Sequence, residues 1–140
     1  MTNSDFRVLI APDSFKGTFS AAEVAKAISA GVLAAGGEAD LCPLADGGEG
    51  TMRTLVSSAG GTIRTVTVQD PLGRGINAGF GLIDEGATAI VEMAEASGMG
   101  LVEPEKRDAE AASTFGTGEL LAAAAKTGAG SVVGDGLLDL

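Results

Sequence analysis

The chain has 140 residues, a formal charge of −10 at pH 7, and neither tryptophan nor tyrosine. Its 22 glycines and 45% apolar residues favour aliphatic α/β layers over an aromatic-rich sandwich. The negative charge disfavours binding to nucleic acid or anionic lipid, because phosphate groups are bound by clustered cations. One cysteine and no histidine exclude an internal disulfide and a Cys/His zinc site within one chain, so proton transfer at neutral pH would fall to Asp, Glu or Lys.

Targeting signals are not expected in this chain. The apolar run that begins at Val8 stops at Pro12, so the N-terminus lacks the pattern of a signal peptide. No apolar window approaches the roughly 18 residues that a membrane-spanning helix needs. We therefore expect a cytoplasmic protein that does not enter a membrane.

The first predicted unit is a strand, a loop and a helix. Arg7–Ala11 is a β-branched, apolar run that Pro12 ends, which is typical of a buried strand. Ser20 and Glu23 have the spacing of a capping box and predict the start of a helix. The apolar stripe of this helix is expected to comprise Val24, Ile28 and Val32, with Ala25 and Leu33 beside them.

The pattern then repeats with a weaker strand. Residues 39–45 predict a strand that is irregular or at an edge, because Pro43 cannot donate to a ladder. Cys42 lies in this apolar run and is expected to be buried. A glycine-rich turn leads into a helix from Thr51, which Gly60 ends.

The hydrophobic period changes after Gly61. Thr62–Val68 and Ile76–Leu82 read as strands joined by a turn, and a third run at residues 87–93 completes an antiparallel meander. A later helix is followed by a strand that begins at Ser131. The chain is therefore predicted to be α/β, with strand–helix units in residues 1–61, then an antiparallel meander with a helix and a strand, and a candidate domain boundary near Gly60.

Three segments place glycines and polar residues where a strand is predicted to meet a helix. They are Pro12–Gly17, Ala45–Gly50 and Thr114–Glu119. Backbone N–H groups at a helix start favour anions, and glycines let a ligand approach the backbone closely. Each segment alone could equally be an ordinary βα turn. Three in one small chain favour a binding site for carboxylates or phosphates.

Side chains in the first two loops could serve this chemistry. Lys16 could neutralise a ligand anion, although a solvated loop lysine has the same pattern. Asp46 and Glu49 could hold Mg²⁺ or accept a proton from a substrate hydroxyl. The alternative for these acids is the stabilisation of a helix start.

Six segments together carry a family resemblance. They are Ile10–Gly17, Ala45–Thr51, Asp70–Arg74, Val91–Ala94 with Ala96–Gly98, Pro104–Arg107 and Gly116–Leu120. In order and spacing they resemble the N-terminal part of the bacterial glycerate kinase family, from about Arg7 to Gly134. The resemblance implies a kinase of two α/β domains, with residues 1–61 in a Rossmann-like domain and residues 62–140 opening the second.

The resemblance also implies the reaction and the residues that serve it. The enzyme would transfer the γ-phosphoryl of ATP to a hydroxyl of D-glycerate to give phosphoglycerate, with Mg²⁺. Catalytic roles fall on Asp46 and Lys16, and metal binding falls on Asp46 and Glu49. Substrate-binding roles fall on Asp13, Ser14, Phe15, Gly17, Gly47, Gly48 and Glu49. ATP-binding roles fall on Gly116, Thr117 and Gly118.

Family members are much longer than this chain, so the resemblance implies a truncated second domain. We expect the isolated chain to be weakly folded and inactive, because apolar faces would lack the strands that cover them. Its unpaired strand edges could also promote association. Two alternatives to an enzyme fragment are a non-catalytic α/β module that binds small molecules or regulates, and a non-functional truncated gene product.

Overall fold

The computed structural model describes residues 6–15, 18–45 and 48–135. Its helices and strands are β1 (Arg7–Ile10), α1 (Ala21–Ala34), β2 (Glu38–Leu41), α2 (Thr51–Ala59), β3 (Thr62–Gln69), β4 (Gly75–Ile83), β5 (Thr88–Glu92), α3 (Ala94–Ser97), α4 (Phe115–Ala125) and β6 (Ser131–Asp135). The chain divides into two compact units, residues 1–46 and 47–140. The predicted mixed α/β class, with parallel and antiparallel pairing, is confirmed.

The first unit is a βαβ unit. β1 and β2 pair in parallel, from Arg7 opposite Glu38 to Ile10 opposite Leu41. The capping box of α1 is present as predicted. The Ser20 hydroxyl accepts the Glu23 N–H at 3.3 Å, and the Glu23 carboxylate accepts the Ser20 N–H at 2.8 Å.

The buried face of α1 differs from the predicted stripe. Its buried residues are Ala21, Ala25 and Ser29. Ile28 is 45% exposed and Leu33 is 58% exposed, so the prediction was wrong by about one residue in phase. Small side chains let α1 lie close to the two strands, and its larger apolar residues Ile28 and Leu33 remain exposed.

The prediction that Cys42 is buried is also wrong, because β2 ends at Leu41 and Cys42 is exposed. Alternation places Cys42 on the same face as Asp40, which lies opposite Leu9 in the register. Leu9 is 68% exposed and Asp40 forms an ion pair with Arg7. No described element covers this face of the sheet, so a cysteine on it is exposed.

The second unit contains a four-stranded sheet in the order β3-β4-β5-β6. The predicted meander β3-β4-β5 is antiparallel, and β6 pairs in parallel with β5. One face of β4 carries Ala78, Phe80 and Leu82 into a core that includes Leu120 of α4. Its other face is approached by α2, and a Cβ on Gly81 would overlap the Val56 side chain. Both faces of β4 are therefore covered over residues 78–82.

Helix α2 packs within the second unit, where Met52 and Val56 form a small core with Ile90. The compact units therefore separate on the N-terminal side of α2, whereas the predicted domain boundary lies at its C-terminal end. That boundary concerns the domains of a longer protein, and it stays a prediction.

Among the described residues, no helix combines the length and the apolar character needed to span a bilayer.

Candidate functional site

The two predicted N-terminal loops begin next to each other. The backbone N–H of Leu44 donates to the carbonyl of Pro12 at 2.9 Å, just beyond the ends of β2 and β1. Because β1 and β2 run parallel, the segments that follow them both leave the sheet at its carboxyl edge. Ligands of open α/β sheets bind at this edge. The start of each loop thus lies where a ligand site is expected.

The first loop forms a tight turn after β1. The Asp13 carboxylate accepts the Ser14 N–H at 2.7 Å, which holds the backbone at that point. Phe15 and Phe19 pair as an antiparallel bridge, with the Phe15 N–H donating to the Phe19 carbonyl at 2.9 Å. Both phenyl rings are more than half exposed. Lys16 and Gly17 lie outside the described residues, and their roles stay predictions.

The second loop is described only where it joins α2. Asp46 and Gly47 lie outside the described residues, so the catalytic role of Asp46 stays a prediction. Glu49 is exposed in the turn that precedes the helix. Gly50 is the N-cap residue, with φ of +94°, a left-handed conformation that favours glycine.

The N-terminus of α2 already holds a carboxylate of the chain itself. Glu92, at the end of β5, is 3% exposed and accepts the Gly50 N–H at 2.7 Å and the Met52 N–H at 3.0 Å. These two donors are therefore engaged within the chain, and the predicted substrate-binding roles of Gly48 and Glu49 beside them stay predictions. The Thr51 hydroxyl lies at the same helix start and, among the described buried side-chain polar atoms, is the one without a hydrogen-bonding partner.

Glu92 lies in one of the segments that carry the family resemblance, but the sequence alone indicates no role for it. The available signal was an acid that directly follows the apolar run Ala89–Val91. A charged residue at the end of a buried strand needs hydrogen-bonding partners when it is itself buried. The partners are backbone groups 42 and 40 positions away in the sequence, so the sequence could not identify them.

The third predicted loop belongs to a helix. α4 begins at Phe115, so Gly116, Thr117 and Gly118 lie in its first turns, and an irregular segment rather than a strand precedes them. Gly116 is buried, and a Cβ there would overlap the backbone of Gln69. Gly116 therefore serves helix–strand packing, and the ATP-binding role of all three residues stays a prediction.

Side chains hold this helix start against its neighbours. The Thr117 and Ser97 hydroxyls lie 2.6 Å apart in a hydrogen bond. The Glu119 carboxylate accepts the Gln69 N–H at 2.8 Å. Of the three residues predicted to bind ATP, Gly118 is the exposed one, and a Cβ added to it would have no neighbour within 4 Å.

The segment Asp70–Arg74 forms the turn between β3 and β4. The buried Asp70 carboxylate accepts the N–H groups of Leu72 at 2.9 Å and Arg74 at 2.8 Å, and it pairs with the Arg74 guanidinium. Burial raises the pKa of Asp70, but the hydrogen bonds from Arg74 and Leu72 outweigh it, so the pKa lies below its ordinary value. The hydrogen bonds of Asp70 within the β3–β4 turn therefore give this segment a structural role.

Magnesium needs few protein ligands in nucleotide sites, because one or two carboxylates act together with substrate phosphates and water. Among the described residues no three acidic or cysteine side chains group together as a metal site. The exposed carboxylate of Glu49 suits a Mg²⁺–phosphate complex as a single oxygen ligand. The predicted second ligand, Asp46, lies outside the described residues.

Comparison with known proteins adds an independent finding. The model of the "Glycerate kinase family" matches residues 8–135. The glycerate 2-kinase of Escherichia coli (strain K12) is 43% identical over 129 residues, which are 91% of this chain and 34% of that protein. The glycerate kinase of Bacillus subtilis (strain 168) is 44% identical over 125 residues, which are 88% of this chain and 33% of that protein.

A solved structure agrees in fold. A crystal structure from Salmonella typhimurium LT2 that is assigned to glycerate kinase 2 superposes with a TM-score of 0.74 at 40% identity, over 93% of this chain and 36% of that one. The chain spans about a third of the length of the curated relatives that it matches. With this match across nearly its whole length, the chain belongs to the glycerate kinase family.

Proposed function

We propose that this chain supplies part of the active site of a kinase that transfers the γ-phosphoryl of ATP to a hydroxyl of D-glycerate. The observation that carries the proposal is the hydrogen bond from Leu44 to Pro12, since it brings the starts of both predicted loops to one sheet edge. Relatives named glycerate kinases support the substrate and the reaction type. The proposed location is the cytoplasm.

The residues of the first loop suit the binding of an anionic substrate. Glycerate carries a carboxylate, and a lysine ammonium at Lys16 is a compact charge that can offset it or the transferred phosphoryl group. The hydrogen bond from Ser14 to the Asp13 carboxylate holds the backbone of this loop. A held backbone lowers the entropy lost when substrate is positioned. Ser14 would orient glycerate in this arrangement.

The residues of the second loop suit the proton and metal chemistry. Asp46 would accept the proton of the attacking glycerate hydroxyl, the role that an aspartate fulfils in kinase catalysis. Glu49 would bind Mg²⁺ together with Asp46. Bound Mg²⁺ would neutralise charge on the phosphates of ATP. Phosphoryl transfer needs this positioning and charge, so a chain without histidine can contribute to it.

A chimera tests the proposal although the chain spans a third of its relatives. The matching third of the E. coli glycerate 2-kinase is replaced by residues 8–135 of this chain, the part that the family model matches. We expect the chimera to phosphorylate D-glycerate in the presence of ATP and Mg²⁺. Size-exclusion chromatography and circular dichroism establish that the chimera is folded.

The same chimera distinguishes the remaining alternatives. A folded chimera without turnover would overturn the proposal. Calorimetry of the 140-residue chain with glycerate and with Mg-ATP then tests the alternative of a binding module. Ligand binding together with an inactive chimera would favour that module, and an inactive chimera without binding would favour a non-functional product.

A further inference from the structure

We infer that Glu92 is a positioning residue that holds Glu49 in place for the proposed reaction. This inference rests on the proposed function for the importance of Glu49. It concerns the second unit alone, in which both residues lie. The carboxylate of Glu92 does not need to reach substrate, because it acts on the backbone of the turn that carries Glu49.

The contacts of Glu92 join two distant parts of the chain. One carboxylate oxygen accepts the Gly50 N–H at 2.7 Å and the other accepts the Met52 N–H at 3.0 Å. Glu92 is 3% exposed at the end of β5, whose preceding residues are in the core of the sheet. The carboxylate is thus held by a rigid strand, and it holds the start of α2.

Both peptide groups that flank Glu49 are hydrogen-bonded. The carbonyl of Gly48, on the N-terminal side, accepts the Thr51 N–H at 3.2 Å. The N–H of Gly50, on the C-terminal side, donates to Glu92. Because the peptide planes before and after Glu49 are both held by hydrogen bonds, the direction of its Cα–Cβ bond is fixed. The side chain of Glu49 remains exposed.

A carboxylate suits this position better than any other side chain of its size. It accepts hydrogen bonds through both oxygens, and its charge is stabilised by the positive end of the helix dipole. A glutamine would keep one acceptor and would place its NH₂ group against the second backbone donor. Glu92→Gln therefore removes one support of the turn at almost constant volume.

Asp70 offers a matched control for Glu92. It is another buried carboxylate that accepts two backbone N–H groups, but it holds the β3–β4 turn rather than the start of α2. Asp70→Asn should lower stability as Glu92→Gln does. It should leave the turn that carries Glu49 unchanged.

The test is a double-mutant cycle in the chimera, built from Glu49→Gln, Glu92→Gln and the pair. We expect Glu49→Gln to lower kcat about tenfold or more, because it removes the charge of a proposed Mg²⁺ ligand. Glu92→Gln should have an effect of the same order, because it displaces that ligand and small misplacements in an active site lower kcat by about tenfold or more. The pair should then lose about as much as Glu49→Gln alone, instead of the product of the two losses. Multiplying losses, or unchanged kcat in Glu92→Gln, would overturn the inference.

Hydrogen exchange of the chimera without ligand gives a readout that does not depend on turnover. Amides of residues 48–52 should exchange about tenfold faster in Glu92→Gln and at an unchanged rate in Asp70→Asn. An equal rate in wild type and Glu92→Gln would overturn the inference. If Glu92→Gln does not fold, Glu92→Asp replaces it in the cycle with the same expected result. A chimera that is inactive before mutation refutes the proposed function instead, and exchange still tests the hold on the turn.

Discussion

Gly116 and Gly118 lie in the same helix, and the structure predicts opposite effects of alanine at the two positions. A Cβ on Gly116 would overlap the backbone of Gln69, whereas a Cβ on Gly118 meets nothing within 4 Å. The Gln69 backbone has little room to move, because it pairs with Gly75 and donates to the Glu119 carboxylate. The overlap must therefore be relieved by a shift of α4.

The size of each effect follows from these contacts. Overpacking at Gly116 costs about 1–3 kcal/mol. A shift of α4 also weakens the hydrogen bond from Gln69 to Glu119, of a kind worth about 1.5–3 kcal/mol. The gain in helix propensity offsets about 0.5–1 kcal/mol of this cost. We therefore expect Gly116→Ala to destabilise the chain by about 2 kcal/mol or more, and Gly118→Ala to stabilise it by about 0.5–1 kcal/mol.

Urea unfolding of the 140-residue chain, followed by far-ultraviolet circular dichroism, measures both variants. The midpoint should fall for Gly116→Ala and rise slightly for Gly118→Ala, with little change in slope. Equal midpoints for the two variants would show that Gly116 is not required by packing. In that case close approach of a ligand would become the better explanation of this glycine.

Three further predictions follow from the described contacts. Gly50→Ala should destabilise α2 by about 1–2 kcal/mol, because a φ of +94° strains an L-residue. An unchanged midpoint of thermal unfolding would contradict this expectation. The pKa of Asp70 lies below its ordinary 3.8, so its stabilisation is present above that pH and is lost as pH falls through the folded pKa. The urea midpoints of wild type and Asp70→Asn should therefore differ at pH 7 and converge below about pH 4. In hydrogen exchange, amides of β1 and β2 should exchange faster than those of residues 78–82 in β4, because both faces of that part of β4 are covered. Equal protection would contradict the weak packing of the first unit.

Local signals in the sequence predicted much of the fold. The capping box at Ser20 depends on residues three apart, and the turn after β3 depends on Asp70 and its immediate neighbours. Alternation in β4 likewise identified Ala78, Phe80 and Leu82 as one face. Each of these features is decided by short-range spacing, which a single sequence contains.

The errors come from long-range packing. The phase of α1 depends on which strands lie against it, and Cys42 is exposed because no described element covers its face of the sheet. The sequence pattern places Gly116 in a loop, although this glycine packs against Gln69 of β3 from within α4. Glu92 was missed as a cap of α2 for the same reason.

The isolated chain is expected to be least stable in the first unit. Its described buried apolar side chains are those of Ile10, Ala21 and Ala25. Large apolar side chains such as Leu9 and Leu33 remain more than half exposed there. The weak folding and the association through strand edges that the sequence suggested stay predictions, and they concern this unit first.

The most direct test of the proposed active site is steady-state kinetics of Asp46→Asn in the chimera. If Asp46 accepts the proton of the glycerate hydroxyl, kcat should fall by about 10²–10⁴. Glu105→Gln, at an exposed acid in the 3₁₀ turn Pro104–Lys106, is the control and should retain full turnover. Unchanged kcat in Asp46→Asn would contradict the assignment of phosphoryl transfer to the loops at the ends of β1 and β2.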